Sequence, residues 1–174
     1  MKKLIVQLCA TLLIGSATML QAHDEGQAPK ASAEFEKLKS LVGTWQGTVD
    51  IGQGPVDMTV DYRLIAGGTV LEERVFAGTP NEMTTMFYDK DGKLALTHYC
   101  VMGNRPAMVL KSSDSKTLRF DFDTNCGIDQ QKEAHMHSMS LTFDSPESIT
   151  TTCRSLFNGK MQENATTLKR VKKS

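Results

Sequence analysis

The chain carries no excess of charge. Its 174 residues hold 20 Lys and Arg against 20 Asp and Glu, so the broad basic field that nucleic-acid binding uses is missing. Only the tail Lys169-Arg170-Val171-Lys172-Lys173 is locally basic, and it reads as the solvated end of a last strand. There are four cysteines but no Cys-x-x-Cys pair, which excludes a zinc ribbon and a thioredoxin-type motif. Gly-x-Ser-x-Gly, a phosphate-binding loop and His-Glu-x-x-His are all absent, and with them the short signatures of serine hydrolases, nucleotide enzymes and zinc proteases. These absences turn the reading away from an enzyme, although a histidine acting as acid or base needs no such motif. No apolar run reaches the ~20 residues of a membrane-spanning helix, so no membrane insertion is expected.

What is present begins with an export pattern. Lys2 and Lys3 precede an apolar stretch from Leu4 to Ile14, and small residues follow at Gly15, Ser16 and Ala17. Residues 1–22 therefore read as a signal peptide cleaved after Ala22, which places the mature chain in the periplasm or outside the cell. Cys9 lies within the apolar region with only eight residues before it, which disfavours lipid attachment. Loss of Lys2 and Lys3 leaves 18 basic against 20 acidic residues. Residues 23–32 read as a disordered leader. Residues 33–174 then form a single domain of about 140 residues, long enough for a substantial core. In an oxidising compartment Cys100, Cys126 and Cys153 allow at most one internal disulfide.

One helix is legible. Ser32 caps it, Phe35, Leu38, Leu41 and Val42 share a face at helical spacing, and Gly43 ends it. From Thr44 onward, short alternating segments are divided by turn chemistry: 44–50, 56–66, 69–77, 83–89, 93–102, 105–111, 116–123, 134–143, 147–156 and 160–171. Gly67-Gly68, Asp91-Gly92 and Asn158-Gly159 are hairpin signals, and 125–133 is the longest loop. The fold class is all-β, with about ten antiparallel strands in sequence order. Closure into an up-and-down barrel hides the edges of such a meander; a two-sheet sandwich is the alternative.

Strand alternation assigns faces. Leu94, Leu96, His98, Cys100 and Met102 share one face. His135, His137, Met139, Leu141 and Phe143 share another, and Leu118, Phe120 and Phe122 a third. If the apolar sets face inward, His98, His135 and His137 form a polar cluster inside an apolar barrel. Such a cluster is the usual look of a small-molecule site, and three imidazoles are also a legitimate ligand set for a transition metal. A purely structural role for the histidines, in hydrogen bonds within the core, accounts for the same pattern. Cys100 and His98 stand two positions apart on one strand, roughly 6–7 Å, too far for direct proton transfer between thiol and imidazole.

Leu41-Val42-Gly43-Thr44-Trp45-Gln46-Gly47 resembles the Gly-x-Trp signature that opens lipocalins and related calycin barrels. The helix before it and the ten-strand meander after it are more similar to the fatty-acid-binding and nitrobindin-like members. Leu96-Thr97-His98-Tyr99-Cys100, Gly103-Asn104, Pro106 and His135-Met136-His137, with Gly67-Gly68 and Gly78-Thr79-Pro80, resemble a family of uncharacterised exported bacterial proteins with a lipocalin-like domain. Arg105 precedes the proline and Ala107 follows it, where that family has Gln and Arg. The resemblance implies a barrel over residues 35–170 and no established activity; the nitrobindin likeness adds haem as a cofactor to be tested.

The expectation is thus a periplasmic binding protein for a small, largely apolar ligand. Phe120, Phe122, Met139 and Leu141 are expected to form the wall, and His98, His135, His137, Cys100, Asn104 and Arg105 to meet a polar head group. The alternatives are a metal or haem barrel using His98, His135 and His137, and a filled barrel without a ligand.

Overall fold

The computed structural model describes residues 30–50 and 54–172; the signal segment 1–22 and the leader as far as residue 29 lie outside the described residues. One α-helix, α1 (Ala33–Lys39), leads into ten strands: β1 (Gly43–Asp50), β2 (Pro55–Ile65), β3 (Val70–Val75), β4 (Met83–Lys90), β5 (Lys93–Tyr99), β6 (Ala107–Ser113), β7 (Thr117–Phe122), β8 (His135–Ser145), β9 (Ser148–Phe157) and β10 (Lys160–Arg170). Every strand pairs antiparallel with its sequence neighbour, and β10 returns to β1 through Trp45 opposite Arg170 and Gln46 opposite Lys169. The sheet is a closed barrel and not a sandwich.

Helix α1 closes one end. The Ser32 hydroxyl accepts from the Phe35 N–H at 3.1 Å, while Asp89 at the end of β4 accepts from both the Ser32 N–H and its hydroxyl at 2.6 and 2.7 Å. Ala31 also packs against the core. Ser32 is therefore part of the ordered domain and not of a leader, because its capping role requires an anchor. Phe35, Leu38, Leu41 and Trp45 are each fully buried beneath the helix. The helix stops at Lys39, earlier than the sequence pattern implied. Leu41 N–H and Val42 N–H bond three residues back, to Leu38 and Lys39 at 2.9 and 3.3 Å, and this tighter turn swings Val42 out to 43% exposure.

Trp45 and Arg170 lock this end to the closure seam. The Trp45 indole N–H donates to Leu41 O at 2.8 Å. The Arg170 guanidinium lies 4.2 Å from the indole ring centre and donates to Val42 O and Ser40 O at 2.9 and 2.6 Å. The exposed carbonyls after the helix thus find a cation, an arrangement that helix C-termini favour.

At the opposite end strand β5 stops at Tyr99 and not at residue 102. The Gly103 N–H bonds Cys100 O at 3.0 Å and the Cys100 N–H bonds Asn104 O at 3.1 Å, so residues 100–104 form a turn. Pro106, without an N–H, still accepts from the His98 N–H at 2.9 Å, and β6 begins only at Ala107.

Gly47 in β1 marks a close approach between strands: a Cβ there would lie 2.4 Å from Thr167 O and 3.0 Å from a Leu168 methyl. Gly47→Ala is expected to force β1 from β10 at a cost of about 1–3 kcal/mol, seen as a melting temperature lowered by about 2–4 °C per kcal/mol. An unchanged melting curve would show that the seam tolerates the shift.

Candidate functional site

Between the helix-capped end and the loops that follow β3 and β5, the barrel encloses a cavity of about 210 Å³. Its wall is mostly apolar: Val49, Met58, Val60, Val75, Phe76, Met83, Met102, Met136, Met139 and Leu168. Both loops reach it, through Phe76 and through Cys100 and Met102. An apolar void of about 150 Å³ holds benzene, so this one suits a molecule slightly larger than one ring.

A row of polar groups crosses one side of the cavity on four adjacent strands. The Tyr62 hydroxyl (β2) donates to Glu73 Oε1 (β3) at 2.6 Å. Glu73 is hydrogen-bonded in turn to the Thr85 side chain (β4), and Thr85 Oγ1 meets His98 Nδ1 (β5) at 3.0 Å. Glu73, Thr85 and His98 line the cavity, and Tyr62 is buried behind Glu73. Cross-strand register builds the row, since Tyr62 faces Glu73, Glu73 faces Thr85 and Thr85 faces His98. The two consecutive glutamates divide across the sheet: Glu72 pairs with Arg63 on the outer face, and Glu73 turns inward, where no cation meets it among the described residues.

Burial governs the protonation of this row. It raises the Glu73 carboxyl above its ordinary range, against the opposing pull of the Tyr62 and Thr85 hydrogen bonds. It raises the Tyr62 phenol well above its ordinary value, helped by Glu73, and lowers His98 to about 4. The neighbouring Cys153 thiol is pushed up to about 12, by burial first and Glu73 second, which leaves it un-ionised and unreactive. With Glu73 ionised, the Thr85 hydroxyl donates to the carboxylate and accepts from His98 Nδ1–H. The His98 Nε2 lone pair meets no partner among the described residues and, in a ring that lines the cavity, is left as an acceptor.

The cavity takes His98, Cys100 and Met139 from the candidates that the sequence offered, and leaves the others elsewhere. Phe120 is buried in the core, edge-on to Phe87 at 5.9 Å. Arg105 is exposed on the loop. Asn104 donates to Ala134 O at 2.6 Å, tying that loop to the start of β8, while its Oδ1 is buried without a partner.

His135 and His137 do not share a face with Met139. The β8–β9 register slips between Met136 and Ser138, so a bulge at His137 adds one residue. Met136 and Met139, three apart, both line the cavity, and strict alternation fails there. The two imidazoles pack against Phe122 at ring separations of 4.6 and 5.6 Å. His135 Nδ1 lies 2.7 Å from Glu133 O and must donate to it, so in the neutral ring Nε2 accepts from His137 Nδ1 at 3.1 Å. Burial, His135 and Arg154 lower the His137 pKa, with Asp121 opposing them. This pair has the part-buried hydrogen bonds of a structural element and lies outside the cavity wall.

The three imidazoles therefore do not converge, and among the described residues no three His, Cys, Asp or Glu side chains come together to hold a metal ion. Haem fits no better: a tetrapyrrole needs several times the space of a benzene-sized void, and among the described residues His98 is the one imidazole on the cavity wall. Cys100, Cys126 and Cys153 are all free thiols.

Tyr62, Glu73, Thr85 and Cys153 were not singled out from the sequence. The signal was there for Glu73: in Leu71-Glu72-Glu73-Arg74-Val75 it sits between two apolar residues on the inward parity. What the fold and site define is a closed ten-stranded antiparallel barrel around a small, mostly apolar cavity bordered by a linked polar row. No protein-family model matches the chain, and no curated protein matches it. A solved structure of a protein of unknown function from the DUF3598 family of Nostoc punctiforme is similar at 16% identity and a TM-score of 0.42. The match covers 77% of this chain and 48% of that one. This chain thus spans about half the length of that structure.

His98 makes stability depend on pH. Its pKa falls from 6.5 unfolded to about 4 folded, so its contribution is complete above about 6.5 and is lost as the pH drops toward 4. The amount is about 3 kcal/mol at one pKa unit per ~1.4 kcal/mol. Glu73, raised in the fold, acts oppositely: its contribution is complete below 4.5 and fades as the pH rises. Urea denaturation between pH 4 and 7 should show a steeper acid loss in the wild type than in His98→Asn, by about that amount; parallel curves would contradict a buried neutral imidazole.

Proposed function

We propose that the protein is an exported, lipocalin-like binding protein that holds one small, largely apolar molecule inside its barrel. The observation that carries this reading is the cavity itself. Methionine, valine and phenylalanine side chains leave about 210 Å³ unfilled, and a linked row of hydrogen-bonding groups that includes the one buried carboxyl among the described lining residues borders it. A barrel evolved only to be stable gains nothing from a buried carboxyl beside an empty volume, since both are destabilising. A ligand gives each a purpose, the apolar wall supplying affinity and the Glu73–Thr85–His98 row orientation. Residues 1–22, with their Lys2-Lys3 start and short apolar run, support export.

The head group is read by His98 and Glu73 and not by His135 and His137, which lie away from the cavity wall. The five wall methionines Met58, Met83, Met102, Met136 and Met139, unbranched and adaptable, suit a ligand of imperfect shape. Access is from the rim, where Met102 both lines the cavity and is 39% exposed.

Native mass spectrometry of protein purified from the periplasm should reveal a bound mass that is lost on denaturation. Cys153→Phe, which places a ring in the void at a stability loss of about 1–3 kcal/mol, should abolish that mass while the protein stays folded by circular dichroism. Retention of the same mass in the folded variant would place the ligand elsewhere and defeat the reading.

A further inference from the structure

We propose that the cavity selects a compact apolar molecule carrying a primary ammonium group and rejects carboxylates of the same size. This rests on the binding reading above and names the chemical class of its ligand. The argument is one of charge and of hydrogen-bond direction. Among the described residues lining the cavity Glu73 is the one acid, and there is no lysine or arginine. The cations nearest in sequence turn away, Arg63 to Glu72 and Arg74 to Glu82 on the outer face.

The groups that face Glu73 are Tyr62 from β2, Thr85 from β4 and Cys153 from β9, with His98 of β5 one step beyond Thr85. None of these carries a fixed positive charge. His98 is held neutral by burial, so it cannot act as the counter-ion for an anion. An incoming carboxylate would stand beside another carboxyl group with no cation to offset the repulsion and the lost hydration.

Hydrogen-bond direction agrees. A carboxylate has about four lone-pair sites. Tyr62 and Thr85 occupy two of those on Glu73, so capacity remains toward the cavity. With His98 Nδ1–H directed to Thr85, Nε2 offers a further lone pair. The Glu73–His98 side of the cavity then offers acceptors, and an ammonium, with three N–H donors and no acceptor, complements it; Thr151, Ser155, Asn164 and Thr166 on β9 and β10 also line the space, with hydroxyls and an amide but no charge. The same charge holds Glu73 ionised, which burial alone opposes. An alcohol satisfies one acceptor and leaves the charge unmet. Volume sets the body: one ring plus one short arm fills 210 Å³.

Isothermal titration at about pH 7 with benzylamine, benzyl alcohol and benzoate tests this with three probes of nearly one size. Benzylamine should bind about tenfold or more tightly than benzyl alcohol, and benzoate should be the weakest. In Glu73→Gln, which keeps the shape and a hydrogen-bonding group, the amine should lose at least about tenfold while the alcohol stays within about twofold. Benzoate binding as tightly as benzylamine, or an amine affinity unchanged in Glu73→Gln, would overturn the inference. If none of the three binds but native mass spectrometry shows a bound mass, the ammonium class falls and the binding reading stands; if neither is seen, both fall.

Discussion

Closure of the barrel between β10 and β1 is the constraint on which the rest depends. Nine of its hairpin-type pairings are made by sequence neighbours, and the tenth joins the two ends of the domain through the short register of Trp45 with Arg170 and Gln46 with Lys169. A pairing so distant in sequence carries the largest loop-closure entropy in the fold. It is reinforced where it is made. Arg170 covers the Trp45 ring and donates to the carbonyls that follow α1, and the indole N–H reaches back to Leu41. Helix, first strand and last strand thus meet at one point, and the absence of a Cβ at Gly47 lets β1 and β10 approach closely.

Sealing that end leaves the other end to be filled or left open. Core packing is dense where Phe35, Leu38, Trp45, Phe87, Phe120 and Leu141 meet, and gives way toward the rim to methionines and a void. The polar row occupies the transition. In water each of its groups would be ordinary; in the barrel they depend on one another. Glu73 takes hydrogen bonds from Tyr62 and Thr85, and Thr85 is joined in turn to His98 Nδ1. A low dielectric strengthens such a chain and makes any unmet charge on it expensive.

Much of the architecture was legible from residue order alone. The hairpin signals at Asp91-Gly92 and Asn158-Gly159 fall where the strands turn, and the inward parity of Leu94, Leu96 and His98 is the one observed. The errors are local. Val42 was assigned to a helix that tightens and stops before it. Residues 100–102 were assigned to a strand that ends at Tyr99. His135 and His137 were placed on the face of Met139 because alternation was carried through a bulge. A bulge leaves no mark in a run such as His-Met-His-Ser-Met; it is set by the pairing of β8 with two different neighbours, and only the assembled sheet contains that information.

The candidate site divides along the same line. Sequence by itself determined the all-β class, the ten-strand order, the apolar inner faces and the inward direction of His98, because these follow from turn chemistry and from the two-residue period of a strand. Tertiary structure decided that His98 is joined to Thr85, Glu73 and Tyr62 and is separated from the other two histidines, and that the interior keeps a void. The physical reason is that hydrogen-bond partners on neighbouring strands are set by inter-strand register, and empty volume by the sum of side chains around a closed ring; neither is a property of any one segment of the chain.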